Sequence, residues 1–373
     1  MAELTLKALY EDFRDAKTLK AIAEDIKNKA KKLTQKLYIM EVCGGHTHVI
    51  MRYGLNQLLP ENIEFLHGPG CPVCIMPKER IDKAIYFAEQ ANVILVTLGD
   101  MIKVPGSKKS LSQTRADGAD VRFVYSPIDA IKIAKENPDK TVIYFAIGFE
   151  TTTPMTPALI ERTIKEGVKN LLFSVNHVTV PEPMMAIMDD SETKVRAFLA
   201  PAHVSVITGS KIYDPIAAKY KTPIVVGGFE PLDVMMSILA IVKQAVAGEA
   251  KVEIEYTRSV GHKGNTKAQE LIAKYLCVED SFNWRGIGHI PKSSLVLRGE
   301  YDYLSAEKRF DGFDNSHKED NKACRCGDIL KGKAKPFDCK VFDNPCSPSN
   351  PLGSCMVSSE GACAAYFKYG RLV

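Results

Sequence analysis

Ten cysteines lie in the 373-residue chain, in two groups with one left over. Cys43, Cys71 and Cys74 form an early group, Cys277 stands alone, and Cys324, Cys326, Cys339, Cys346, Cys355 and Cys363 crowd the C-terminal end. A chain of this length is not the small secreted scaffold in which cysteines pair as disulfides, so metal binding or redox chemistry is the expected use. "HGPGCPVCIMPKER" (67–80) sets a C-x-x-C ahead of a helix expected to begin near Pro77. A helix N-terminus lowers thiol pKa through its dipole and free N–H groups, so Cys71 or Cys74 is expected to be partly thiolate at neutral pH. The alternative, half of a structural zinc site, needs a second thiolate pair, and the N-terminal region offers only Cys43.

"EVCGGHTHVI" (41–50) places Cys43 after an apolar, strand-like run. Gly44 and Gly45 are expected to let the backbone turn sharply and to leave room around the sulfur for something bulky. His46 and His48 taken alone read more readily as structural histidines than as ligands. With three thiols brought to one sheet edge by successive strands, a site becomes the better reading, and such thiolates suit low-spin iron, copper(I) or zinc.

The C-terminal series runs C-x1-C-x12-C-x6-C-x8-C-x7-C. A zinc ribbon grips its metal from two C-x2-C turns, and no pair here has that spacing. Iron-sulfur clusters take four thiolates from irregular loops, and Pro336, Pro345, Pro348 and Pro351 suit such a coiling chain. Four ligands of six leave a pair. Our assignment is Cys324, Cys339, Cys346 and Cys363 to the cluster, with Cys326 and Cys355 as a redox-active pair; spacing alone leaves the choice open, and structural zinc or plain disulfides are the alternatives.

The elements that must position these residues follow from the hydrophobic pattern. Residues 6–36 read as a helix, with apolar positions at three- and four-residue spacing. Then "KLYIMEV", "IEFLHG", "NVILVTLGD" and "VRFVYS" alternate with helical segments. A second series, "TVIYFAIGFE", "NLLFSVNHV", "AFLAPAHVSVITG" and "TPIVVGGFE", repeats the alternation, and a helix follows over 232–248. Continuous apolar strands between helices argue a parallel sheet covered on both faces. The expected fold class is α/β: two Rossmann-like parallel-sheet domains over 1–135 and 136–320, plus a small C-terminal Cys-rich iron-sulfur domain over 321–373. "SLVLRGEYDYLSAEKRF" reads as strand, turn and helix. A Gly-Phe-Glu recurs in "AIGFETTTP" (146–154) and "VGGFEPLD" (226–233). It reads equally as a repeated structural turn or as a ligand-facing loop at the carboxyl end of a strand, which makes Glu150, Thr151 and Thr152 candidates.

Composition narrows the classes further. The apolar and charged fractions, 45% and 25%, are those of globular proteins, and a net charge of +4 spread along the chain demands no nucleic acid. The N-terminus carries charges and no apolar signal core, and the apolar runs are strand-length, so a soluble, cytoplasmic protein without a membrane span is expected. "LKGKAKPF" (330–337) reads as a solvated loop before it reads as a dock for an acidic partner.

"EVCGGHTH" (41–48), "GPGCPVC" (68–74), "IGFETTTP" (147–154) and the C-terminal cysteine series together resemble the HypD family of [NiFe]-hydrogenase maturation factors, in order and over nearly the whole chain. The resemblance implies a scaffold that pairs with the small chaperone HypC and holds an iron ion while it gains two cyanides and one carbon monoxide. It implies cyanide from HypE and HypF, and delivery of Fe(CN)2CO to the hydrogenase large-subunit precursor. It also implies a 4Fe-4S cluster in surroundings similar to ferredoxin:thioredoxin reductase. By matching motif, Cys43 would be the iron-binding thiolate, His46 would shape or proton-load the site, and Cys71 and Cys74 would be the dithiol exchanging electrons; the placement of the cysteines suggests that the cluster, a Cys326–Cys355 pair and this dithiol form a relay by thiol–disulfide exchange. Cys277 lies outside the motifs and is expected to be a buried core thiol. Two rival readings are a thiol-disulfide reductase of the ferredoxin:thioredoxin reductase type and a hydrolase using Cys43 with His46, whose spacing suits nucleophile–base geometry poorly.

Overall fold

The alternation of apolar strands and amphipathic helices is present in the computed structural model, which describes residues 11–314, 316 and 320–370. In chain order the strands are β1 (Leu37–Glu41), β2 (Ile63–His67), β3 (Val93–Leu98), β4 (Asp120–Val124), β5 (Thr141–Gly148), β6 (Leu171–Val178) and β7 (Ala197–Pro201). They continue as β8 (Ile224–Gly227), β9 (Val252–Ile254), β10 (Leu276–Val278), β11 (Ser281–Trp284), β12 (Gly288–Pro291) and β13 (Ser294–Leu297). Every residue of β6 and β7 is buried, as strands covered on both faces must be.

One sheet has the order β2-β1-β7-β8-β9 and is parallel throughout. The second has the order β10-β13-β6-β5-β3-β4; its four strands β3 to β6 are parallel, and β13 and β10 are added antiparallel. β11 and β12 form a separate hairpin. The fold is thus mixed α/β with two parallel-sheet units and a Cys-rich C-terminal region, but the sheets do not divide at residue 135. β1 and β2 belong with β7 to β9, whereas β3 and β4 belong with β5 and β6. Periodicity reports that strands alternate with helices; it carries no information about which strand pairs with which.

The helix expected over 6–36 spans Ala16–Ala30, capped by Asp15, whose carboxylate accepts from the Thr18 N–H; the first residues of that expectation lie outside the described residues. It packs on the helix Pro231–Ala247, and both cover one face of the first sheet over Ile26, Ile39, Phe65 and Ile238. The opposite face of that sheet shares a single core with the second sheet, joining Met40, Leu66 and Phe198 to Leu95, Ile143 and Phe145. Ile329, Cys355 and Met356 of the C-terminal region enter the same core. The helix Ala362–Tyr369 lies on the helix Gly44–Tyr53, so the last residues of the chain close over the first motif. "SLVLRGEYDYLSAEKRF" forms β13, a 3-10 turn and the short helix Ala306–Arg309 as expected. Among the described residues, no helix is long and apolar enough to cross a membrane.

Candidate functional site

In the first sheet β1 and β7 are neighbours, yet the chain proceeds from β1 to β2 on one side and from β7 to β8 on the other. Such a switch point opens a crevice beyond the carboxyl ends of the strands, where ligands bind in open parallel sheets. Cys43 lies just beyond β1 and His203 just beyond β7, with Sγ and Nε2 3.4 Å apart. Phe229, beyond β8, stacks on His46 at 4.5 Å between centroids and packs on His203 at 4.8 Å. Cys71, beyond β2, is the fourth contributor, and it is buried.

His46 sits in the first turn of the helix Gly44–Tyr53, which Cys43 precedes at the N-cap position. Its Nε2 is 3.0 Å from Gly228 O and 3.3 Å from Gly227 O, so that nitrogen carries the proton and donates. Nδ1 is then a lone-pair acceptor, buried and without a hydrogen-bond partner. Burial, with His203 adding, holds the His46 imidazole down to about 3, and burial holds His203 at about 4, so both rings are neutral at physiological pH. Burial, and after it Glu360, pushes the Cys43 thiol up. A thiol and imidazoles in these states could take up a soft cation, the thiol giving up its proton and the free imidazole nitrogens serving as donors. The Cys–His pair in contact is Cys43 with His203, not Cys43 with His46.

The glycines here provide clearance, not the sharp turn expected. Gly44 and Gly45 are helical, and neither has the left-handed φ that reserves a position for glycine. A Cβ on Gly44 would overlap the Glu360 carbonyl oxygen; one on Gly45 would lie 2.9 Å from the Phe229 ring and 3.5 Å from Cys43 Sγ. A Cβ on Gly70 would overlap Cα and N of Cys43. The glycines thus permit close packing of Glu360, Phe229 and the loop after β2 around Cys43.

From this crevice a file of sulfurs leads to the C-terminal region. Cys74 has Cys71 and Cys355 as sulfur neighbours, Cys355 has Cys326, and Cys326 has Cys363. Cys324 Sγ lies 3.3 Å from Cys326 Sγ. Ser354 ties the two halves by donating to Cys74 O. Cys346 Sγ accepts from the Leu352 N–H at 3.4 Å, and Cys339 Sγ is directed to Ala323 O, beside Cys324, at 3.8 Å. The thiolate expected at Cys71 or Cys74 is misplaced for Cys74. Its hydrogen bonds to Cys355 and Cys71, then burial, push its thiol up. The helix meant to depress it is only Pro72–Ile75, separate from Lys78–Ala88. Cys355 carries the charge in this group, held down to about 6 by the thiols of Cys326 and Cys74.

Among the described residues, no three or more His, Cys, Asp or Glu side chains are already arranged as a metal site. The donor chemistry nevertheless fits an iron-sulfur group. Soft thiolates converge from irregular loops, and a Cβ on Gly353 would come within 2.5 Å of both Cys324 Sγ and Cys326 Sγ, so glycine keeps that space open.

The second sheet has its own switch point, between β3 and β5, and there a cleft of about 240 Å³ is lined by Cys71, Asp100, Gly148, Thr152 and Glu360. Of the Glu-Thr-Thr candidates it is Thr152 that faces this cleft. Thr151 Oγ1 is buried without a partner, and Glu150 accepts from the Val180 N–H at 2.9 Å while its second oxygen has none. Burial raises the Glu150 carboxyl from 4.5 to about 8. The native state therefore binds a proton that the unfolded chain releases, and this contribution to stability is lost as pH rises from 4.5 through about 8. Thermal unfolding of Glu150→Gln followed against pH is expected to gain on wild type steadily over that window; parallel curves would show a carboxylate already ionised.

Comparison with known proteins can now be added. The HypD family model, described as "Hydrogenase formation hypA family", matches residues 17–370. The chain belongs to the HypD family. It is 48% identical to the hydrogenase maturation factor HypD of Azotobacter vinelandii, over 97% of this chain and 96% of that one. It is 45% identical to that of Cupriavidus necator over 97% of each, and 43% identical to that of Escherichia coli over 96% and 97%.

Several residues that the fold of this HypD-family chain brings to the candidate site are not legible from the sequence. His203 was hidden inside "AFLAPAHVSVITG", although its place directly after a strand matches that of Cys43. Glu360 lines the cleft and abuts Gly44. Glu41 and His67 form a fully buried pair at the carboxyl ends of β1 and β2, extended by the Thr47 hydroxyl at 2.7 Å and the Tyr366 hydroxyl at 2.9 Å. His48 instead meets the Tyr369 hydroxyl at 3.3 Å, and Cys277 is half-buried on β10, not the core thiol expected.

Proposed function

We propose that this HypD-family hydrogenase maturation factor is the cytoplasmic scaffold on which an iron ion acquires two cyanides and one carbon monoxide. HypC is its small partner, HypE with HypF the cyanide source, and the hydrogenase large-subunit precursor the recipient. The observation that carries the reading is the crevice at the first switch point, where Cys43 Sγ meets His203 Nε2 at 3.4 Å beside a buried, bare His46 Nδ1. Iron is the substrate there. The Cys43 thiol gives up its proton to bind it, neutral imidazoles supply further donors, and the walls exclude water.

Cys71, on the crevice and on the cleft, belongs with Cys74 to a dithiol that closes to a disulfide and gives its two electrons and two protons to the reductive release of cyanide from the HypE donor. It is reopened when the Cys355 thiolate attacks Cys74 Sγ and Cys71 leaves; Cys326 then attacks Cys355 Sγ, freeing Cys74 and closing Cys326–Cys355. Cys324, Cys339, Cys346 and Cys363 would hold a 4Fe-4S cluster, which supplies single electrons for reducing that second disulfide.

The test is an infrared spectrum of the anaerobically purified protein with its co-expressed HypC partner, wild type against Cys43→Ala. Metal-bound cyanide and carbonyl bands in wild type and none in the variant are expected. Bands of equal strength in both would remove iron from Cys43, and bands in neither, with iron and sulfide retained, would favour a thiol reductase.

A further inference from the structure

A second cavity, of about 510 Å³, lies between the helix Lys78–Ala88, β13, and the turn and short helix over Gly299–Arg309, and it shares no lining residue with the cleft at Cys71. Three cations reach it. Arg80 and Lys83 lie one helical turn apart on the same face, and Lys308 comes from the opposite wall. Arg80 is committed to Glu279 at 3.1 Å, and Lys308 pairs with Asp302 at 3.5 Å. Lys83 is different. It is only 9% exposed, and its ammonium makes no hydrogen bond or ion pair among the described residues. Its one polar-type contact is the face of Phe313, 5.9 Å away.

Most of the Lys83 side chain is buried while its ammonium opens on the cavity, a setting that favours a counter-charge there. The two carboxylates nearest in influence are already engaged: Glu279 accepts from Arg80 and from Ser294 Oγ at 2.6 Å, and Glu307 from Ser174 Oγ at 2.6 Å and Ser305 Oγ at 3.0 Å. Each retains acceptor capacity toward the cavity. Burial, and after it Arg80, holds the Lys83 amine below the usual lysine range, as expected of a cation lacking its counter-charge. The cavity thus offers one uncommitted cation, Lys83, among the carboxylates of Glu79, Glu279, Asp302 and Glu307, in a volume suited to a small molecule.

We infer that this cavity binds a small hydroxylated organic anion, its phosphate or carboxylate against Lys83 and its hydroxyl groups donating to Glu279 and Glu307. The site is separate from iron assembly, so it stands or falls without that reading.

Titration calorimetry of the full chain with glycerol 3-phosphate, glycerate and neutral glycerol tests it, the first two probes differing only in the anionic group. Saturable binding of at least one anion with Kd of about 1 mM or tighter, and none of glycerol, is expected. Lys83→Met should weaken that binding by about tenfold or more, and Lys83→Arg should retain part of it. In wild type the bound anion should also protect Lys83 from reductive methylation, read by peptide mass spectrometry, which serves if the methionine variant does not fold. Binding of neither anion, equal binding of glycerol, unchanged affinity in Lys83→Met, or an anion that leaves Lys83 unprotected would each overturn the assignment.

Discussion

Cys74→Ser is expected to reduce hydrogenase maturation to the background of cells lacking the protein, while the chain stays folded. Cys74 neighbours both Cys71 on the crevice and Cys355 in the C-terminal region. In the relay proposed above, every exchange that returns reducing equivalents to Cys71 passes through its sulfur, and a hydroxyl cannot form the mixed disulfide. Structurally the change is small, because serine can keep a hydrogen bond to Cys355; a cost of about 1 kcal/mol is expected. Hydrogenase activity of complemented cells, with circular dichroism of the purified variant, separates the two effects. Cys277→Ser, on an edge strand away from the sulfur file, should leave both unchanged. Normal maturation with Cys74→Ser would remove the relay from the mechanism.

The second large effect concerns a residue with no functional group. Gly70→Ala places a methyl where Cα and N of Cys43 and, at 2.6 Å, the Val42 carbonyl carbon already stand. Those atoms are backbone, so no rotamer change relieves the overlap, and the loops after β1 and β2 must part. A loss of about 1–3 kcal/mol is expected from overpacking of this kind. The functional loss should exceed it, because parting the loops carries Cys43 Sγ away from His203. Iron content after anaerobic loading, set beside the unfolding midpoint, reads both. Gly45→Ala is the graded control: its methyl meets the edge of the Phe229 ring, which can give, so it should lose less of each. Equal iron loading in Gly70→Ala and wild type would show that the Cys43–His203 distance does not matter.

Much of the fold was legible because it rests on local pattern. The helix over 231–247 and all eight strand runs in the two series follow from periodicity, and burial on both faces follows from the unbroken apolar character of runs such as β5, β6 and β7, while the edge strand β4 is partly exposed. Pairing was not legible, since β1 meets β7 across an interval that no local rule spans. The same limit explains the site. Cys43, Cys71 and Cys74 announce themselves by type, but His203 gains meaning only through the β1–β7 pairing, and Glu41 and His67 only through the β1–β2 register. The ionisation pattern of the thiols was the least accessible feature, because it depends on Cys74 and Cys355 meeting from opposite ends of the chain.

That interleaving has a consequence for synthesis on the ribosome. β1 emerges early but has only β2 beside it until β7 and β8 are made, and Gly44 is not covered until Glu360 arrives. A nascent or truncated chain presents Cys43 on an unfinished edge without His203, Phe229 or the closing C-terminal helix. The crevice therefore takes shape only once β1, β7, β8 and the segment around Glu360 have all been made.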